Sequence, residues 1–276
     1  MCGSCLLAES QSRAQICRSQ PHRRGKSGRQ RSRRNSFLLQ REECGDFFSG
    51  ILSEYHGWKS GKRAANIEHL YKVIDASKKL GINLVTTFIG RDQTKTVEEN
   101  LELVKEIWIP IVHYAEEKKV RIAIENCPML FDGDQWPGGQ NLMTTPVIWR
   151  KVFEILDSDY IGINYDPSHF VWQMIDYIQP LYEFKDKIFH VHYKDIKLFK
   201  EKLKECGTMA YPLQYMKPKL PGLGDVDWGK YVSTLTDIGF EGYTCIEIED
   251  KSFEGSEERV LDSLKLSLRY LRQFVI

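Results

Sequence analysis

The sequence predicts an α/β fold of the (β/α)8 barrel type, and three observations carry that prediction. From about residue 62 onward, short apolar runs of strand length alternate with amphipathic segments of helix length, the pattern of a parallel sheet covered by helices. No glycine-rich phosphate loop follows any of the runs, which removes the most direct sign of a doubly wound nucleotide-binding fold. Three acids and a histidine stand at the C-terminal ends of four of the runs, the ends that converge on one mouth in a barrel.

The elements follow in order. Ile67, Leu70, Tyr71, Val73, Ile74 and Leu80 recur at helical spacing over 64–80, and Gly81 stops the helix. The apolar run Leu84 to Ile89 reads as a buried strand. The same grammar then repeats: a helix over 96–118 before a strand at Val120 to Ile124, a helix over 145–156 before Tyr160 to Tyr165, and a helix over 172–185 before Ile188 to His192. A helix over 228–237 precedes a strand from Tyr243 to Ile248, and an amphipathic helix over 257–273 ends the chain. In the loop Gly222 to Asp227, an aspartate is expected to cap the next helix, with Asp225 or Asp227 as a ligand the lesser alternative.

Composition bounds what the chain can be. Its 276 residues carry 39 Lys and Arg against 38 Asp and Glu, but the balance hides an asymmetry. Residues 1–50 contain ten Lys or Arg and four acids, a net of +6, which leaves −5 for the remainder. Residues 10–36, rich in Arg, Ser, Gln and Gly, hold too little apolar surface to offset the entropy of ordering and read as disordered. A nucleic-acid arm or a transit peptide are the functional readings of that tract, and an inert tail is the plain one. The sequence therefore divides into a basic, largely disordered or non-conforming segment over 1–60 and an acidic α/β domain over 61–276.

No run approaches the roughly 18 apolar residues of a membrane span, and the start lacks a signal-type apolar region. The seven cysteines show no disulfide-like spacing in the body, so a cytoplasmic location is expected, with no membrane and no nucleic acid as partner. Cys2 and Cys5 form a C-x-x-C without a second pair at finger spacing, and read as chance rather than half a zinc site.

The candidate site consists of Glu125, Asp166, His192 and Glu247, each at the end of its strand. Three carboxylates and one imidazole make a hard donor set for a single divalent ion, Mn, Co, Mg or Zn, with positions left open for a substrate. His190 shares the parity of His192 and reads as a packed histidine. Phe88, Trp136, Tyr165 and Trp172 read as core residues, with an apolar wall on which a ring stacks as the alternative.

The segments IAIENCPM (122–129), IGINYDPSHF (161–170), FHVHYKD (189–195), LPGLGDVDW (220–228) and TCIEIED (244–250) resemble the xylose isomerase-like TIM barrels, in their sugar phosphate isomerase/epimerase branch. The resemblance covers roughly residues 64–276. It implies Glu125, Asp166, His192 and Glu247 as metal ligands and a sugar, phosphorylated or not, as substrate. It also implies proton transfer through an enediolate by Glu125 and Glu247, with His169 either behind the ligands or facing the substrate and donating to one of its oxygens. Lys194 either neutralises developing charge or forms a structural ion pair with Asp195.

Three rival readings remain beside the isomerase. A dehydratase shares the same ligand set. The apurinic endonuclease branch needs further histidines on earlier strands and a D-x-H after the sixth, whereas this chain has no histidine after His192 and Gly90-Arg91-Asp92 where a ligand would stand. A complete family barrel would also begin with two further βα units, which residues 1–60 do not supply. The third reading is therefore a barrel incomplete at its N-terminus, with unpaired edges, as an inactive remnant, a binding protein or a homo-oligomer.

Overall fold

The computed structural model describes residues 14–19, 37–39, 62–130 and 138–274. Two short strands come first, β1 (Ala14–Ser19) and β2 (Phe37–Leu39). The helix–strand alternation then runs α1 (Lys62–Leu80), β3 (Leu84–Thr87), α2 (Val97–Lys118), β4 (Arg121–Glu125), α3 (Pro146–Leu156), β5 (Ile161–Tyr165), α4 (Ser168–Trp172), α5 (Gln179–Glu183) and β6 (Ile188–Tyr193). After it come β7 (Asp195–Leu198), α6 (Lys200–Cys206), β8 (Met216–Lys219), α7 (Trp228–Asp237), β9 (Tyr243–Ile246) and α8 (Glu257–Leu271).

Strands β3, β4, β5, β6 and β9 lie side by side in that order and are all parallel. Five consecutive parallel strands are the greater part of a (β/α)8 barrel. Closing eight would take three more, so among the described residues the shortfall is two βα units and also the strand that would precede α1.

The free edge of β9 is taken by β1 running antiparallel, with Cys17 opposite Cys245, and β2 pairs antiparallel with β1. Six residues of the tract read as disordered thus have a place on the sheet. Main-chain hydrogen bonds to an open edge need no apolar side chains, which is why composition did not reveal them. The Cys2–Cys5 pair, the rest of the basic tract and Trp136 lie outside the described residues.

Local chemistry sets most helix ends where the sequence places them. Thr96 closes a capping box with Glu99 at the start of α2, and Lys119 ends that helix in the left-handed conformation. Thr145 caps α3 ahead of Pro146, Asp227 caps α7 and Ser256 caps α8; each such cap is worth about 1 kcal/mol. The expected helix over 172–185 is instead two short ones, α4 and α5. Met174 takes a positive φ of 57°, Asp176 draws the Ile178 amide into a local turn at 2.8 Å, and Pro180, which has no N–H to donate back to the preceding turn, sits in the first turn of α5. The ribbon β7–β8 with α6 between its strands was also not anticipated; it is an antiparallel excursion between β6 and α7.

The helices bury one contiguous core against the sheet. Trp149 is fully buried, with ring centroids of Phe184, Phe170 and Tyr165 at 5.2, 5.4 and 5.9 Å, contacts worth about 0.5–1.5 kcal/mol each beyond their area. Tyr165 and Phe88 are core residues here, and Trp172 packs in a smaller cluster with Leu130, Ile196, Tyr215 and Met216. Gly162 permits the close approach of β5 to β6, since a Cβ there would collide with the Phe189 ring and the Lys187 carbonyl. No helix among the described residues is long and apolar enough to cross a membrane.

Candidate metal centre

Parallel strands deliver side chains at their C-terminal ends to one place, and the register sets which residues meet. Glu125 ends β4 opposite Asn164 of β5, Asn164 lies opposite His190 of β6, and His192 lies opposite Cys245 of β9. Asp166 and Glu247 follow one residue beyond β5 and β9. The result brings together the four residues expected as ligands: one donor atom from each of Glu125, Asp166, His192 and Glu247 lies within 4.8 Å of the other three, and all four residues are buried.

Within this group His192 Nδ1 lies 3.1 Å from Glu247 Oε2 and 3.7 Å from Glu125 Oε1. They bracket the edge of about 3.4 Å expected for a tetrahedron of donors with bonds of roughly 2.1 Å. Glu125 Oε1, Asp166 Oδ2, His192 Nδ1 and Glu247 Oε2 are each buried without a hydrogen-bond partner. Four such atoms, one from each residue and all converging, are costly unless something else satisfies them. A divalent cation fits that need, and three carboxylates with one imidazole suit it chemically.

Surrounding residues hold these groups in place. Asn126 bonds Asp166 at both its amide (2.8 Å) and its carbonyl (2.9 Å), and the Ser168 amide donates to Asp166 Oδ1 at 2.8 Å, which leaves Oδ2 aimed inward. Asn141 donates to the carbonyls of Glu125 and Cys127. The Asn164 side chain lies 3.1 Å from His192 Nε2 and 2.8 Å from His190 Nδ1, so one amide orients two rings. His190 accordingly sits as a packed histidine, edge-on to His192 at 5.3 Å.

His169, in α4, reaches the cluster with Nε2 at 3.3 Å from Asp166 and 3.7 Å from Glu125. Lys194, fully buried, lies 3.6 Å from Glu247, 3.8 Å from Asp166 and 3.4 Å from His169 Nε2, and is bonded to Glu249 at 2.9 Å. It is a member of the site, and the alternative of a Lys194–Asp195 ion pair is not what the structure shows. Asp195 turns away and accepts from Ile196, Gly222, Gly224 and Val226 amides and from Trp228 Nε1. A Cβ on Gly224 would collide with that carboxylate. Asp225 accepts from Lys197 and the Leu198 amide, and Asp227 caps α7, so neither joins the cluster.

Mutual charge governs protonation. Burial raises the Glu125 carboxyl, but His192 and His169 together outweigh it and hold the group down to about 2. Burial and Lys194 pull His169 down, yet Asp166 and Glu125 push it up to about 10. His192 is pushed well above its ordinary value by Glu125 and Glu247 against the effect of burial. Glu247 is held well below its own, burial being overcome by Lys194 and His192.

Asn126, Asn141, Asn164 and Glu249 are site residues that the sequence analysis did not name. Glu249 and Asn164 had a signal: each stands two residues from a member of the four-residue cluster on an extended segment and so shares its face. Asn126 and Asn141 act through backbone contacts that no spacing rule exposes.

Comparison with known proteins agrees with this architecture. Inosose dehydratases are similar over part of their length: that of Clostridium perfringens is 30% identical over 116 residues, covering 40% of this chain and 38% of that protein. That of Clostridium tetani is 32% identical over 114 residues, with the same coverage. The chain thus spans about two fifths of the length of the curated relatives it matches. Among solved structures, the IolI protein with a bound zinc atom superposes with a TM-score of 0.58 at 19% identity, over 78% of this chain and 72% of that one. D-Psicose 3-epimerase from Clostridium cellulolyticum H10 gives 0.56 at 15% identity, over 78% and 72%. At such identities these two speak for the fold alone. The family model described as xylose isomerase-like TIM barrel matches residues 50–273, the span that holds the parallel strands and all four converging donors, and the chain belongs to that family.

Proposed function

We propose that this chain is a divalent-metal-dependent sugar isomerase or epimerase that works by enolisation, removing a proton from the carbon next to a carbonyl. The observation that carries the reading is the convergence of four buried, unpartnered donor atoms from Glu125, Asp166, His192 and Glu247. A divalent cation held there would supply polarisation of the substrate's adjacent oxygens and offset the negative charge of an enediolate.

The chain's own groups account for the proton. One of Glu125 or Glu247 takes the carbon-bound proton, the electron pair moves onto the carbonyl oxygen, and the other glutamate returns a proton at the opposite face or the neighbouring carbon. His169, protonated between Asp166 and Glu125, donates to a substrate oxygen. Lys194 adds fixed positive charge beside the reacting oxygens. Because Glu249 already neutralises much of that charge at 2.9 Å, the site suits an uncharged polyhydroxy ketone better than a phosphate.

A second reading is a dehydratase. It is favoured by the relatives named inosose dehydratase and by two proton donors, His169 and Lys194, standing 3.4 Å apart beside the carboxylates. In that outcome the enediolate expels a β-hydroxyl, which leaves as water after taking a proton from one of them.

The test incubates manganese-loaded protein in D₂O with ketoses, aldoses and inososes and follows each by NMR and mass spectrometry. Solvent deuterium at the carbon beside the carbonyl, without loss of water, is the expected result. Loss of water with an inosose selects the dehydratase. Absence of exchange in every compound, with manganese bound, overturns both in favour of a barrel that binds without turnover.

A further inference from the structure

A second group of buried ligand-type side chains adjoins the first and includes a residue for which the proton transfer has no use. Cys127 stands two positions after Glu125, just past β4. Its thiol, a Glu125 carboxylate oxygen and a ring nitrogen of His169 all lie within 4.8 Å of one another. The three residues come from two neighbouring strand ends and are all buried, Cys127 to 1% exposure. His169 Nε2 and Glu125 Oε1 are 3.7 Å apart, again close to the roughly 3.4 Å edge of a tetrahedral zinc site. Glu125 Oε1 is buried and has no hydrogen-bond donor.

The donor chemistry differs from that of the four-residue cluster. A thiolate is a soft ligand that selects zinc or cadmium and has little affinity for magnesium or manganese, which prefer carboxylates and water. Glu125 Oε1 faces both positions, 3.7 Å from His192 Nδ1 on one side and 3.7 Å from His169 Nε2 on the other, so this one oxygen would bridge them. Lys194, 3.4 Å from His169 Nε2, and His192, 3.7 Å from Glu125 Oε1, oppose a cation by charge; Lys194 is held by Glu249 at 2.9 Å and His192 by Glu247 at 3.1 Å. A cation seated against Glu125 and a Cys127 thiolate would meet two further anions.

We propose that Glu125, Cys127 and His169 form a second metal seat, joined to the first through the Glu125 carboxylate, that takes a thiophilic dication such as zinc or cadmium and not manganese or magnesium. It depends on the four-ligand reading only in sharing Glu125.

The experiment measures bound metal after equilibrium dialysis of the full chain carrying Cys2→Ser and Cys5→Ser, because the N-terminal C-x-x-C would itself take cadmium. Two equivalents of cadmium and one of manganese are expected. Cobalt should give a near-ultraviolet sulfur-to-metal charge-transfer band. Cys127→Ser should lower cadmium to one equivalent and abolish the band, His169→Ala should weaken it, and Asp166→Asn should leave it in place. One equivalent of cadmium at saturation, or a band unchanged in Cys127→Ser, overturns the proposal. Should that variant not fold, alkylation of Cys127 followed by peptide mass spectrometry decides in the unsubstituted thiol. Protection by cadmium supports the seat, and equal rates with and without cadmium refute it. Failure to bind manganese while the cobalt band persists would instead sink the four-ligand reading and leave this one standing.

Discussion

Asp166 and Asp195 are both fully buried and both stand just past the end of a parallel strand, yet the fold treats them in opposite ways. Asp195 accepts five hydrogen bonds, four from backbone amides and one from Trp228, and so fastens the 220–228 loop to the end of β6. Asp166 accepts on one oxygen from Ser168 and has no hydrogen bond on the other, which faces Glu125, His192 and Glu247 with only the longer ion pair to His169 Nε2 at 3.3 Å. Asp92, in the loop between β3 and α2, follows the first pattern: its carboxylate accepts from Thr94, and its backbone is clasped by Asn100. A buried carboxylate saturated by its own chain serves the fold. One held in place and then left open is kept for something that arrives later.

The sharpest way to break this comparison is to remove both aspartates and ask what is lost. Asp195→Ala strands four amides and an indole N–H in a buried place, each a cost of about 1–3 kcal/mol if unsatisfied. A loss of more than about 3 kcal/mol in denaturant unfolding is expected after local relaxation. Asp166→Asn keeps the Ser168 bond and removes charge from a set of crowded carboxylates. Its metal-free stability should change by no more than about 1 kcal/mol, while metal affinity, read by calorimetry, should fall by more than about 100-fold. If Asp166→Asn unfolded the protein and Asp195→Ala did not, the assignment of roles would be reversed.

Which carboxylate belongs to which class was only partly legible in the sequence. That Glu125, Asp166, His192 and Glu247 would meet was legible because strand ends in a parallel fold have one common destination, so position along each run carries three-dimensional information. Lys194 and Asp195 are adjacent, and chain position alone could not separate them. The backbone turns between them, sending one into the cluster and the other toward a loop about 30 residues away in sequence. The β7–β8 ribbon was missed because residues 195–219 are rich in lysine and carry no clean alternation. The antiparallel pairing of β1 was missed because it depends on an unpaired edge of β9, a property of the sheet and not of residues 14–19.

A smaller effect tests the electrostatics of the open cluster. In the metal-free protein the Glu125 carboxyl is held at about 2 against an ordinary 4.5, so its contribution is present above about pH 4.5 and is lost as pH falls toward 2. His169 is raised to about 10 from 6.5, so its contribution is full below about pH 6.5 and is lost as pH rises toward 10. Thermal melting of metal-free protein should therefore be highest between about pH 4.5 and 6.5. Since His192 is also raised and must present a bare Nδ1 to a cation, metal binding at neutral pH should release about one proton. Calorimetry in buffers of different ionisation enthalpy reads that number, and an affinity independent of pH would contradict it.

The gentlest test concerns what orients the open groups. Asn164 touches His192 Nε2, His190 Nδ1 and, at 3.5 Å, Glu125 Oε2. As it stands the amide sets Nδ2 against Nε2 and Oδ1 against His190 Nδ1; turned over, its carbonyl would accept from Nε2–H and leave His192 Nδ1 for the metal. Asn164→Ala removes the orienting partner and no ligand, so metal affinity should fall by about 10–100-fold, less than for Asp166→Asn. Asn164→Asp keeps an acceptor for Nε2–H and should recover part of the loss. If alanine and aspartate behaved alike, the amide would be packing material and the orientation of His192 would have to come from the strand itself.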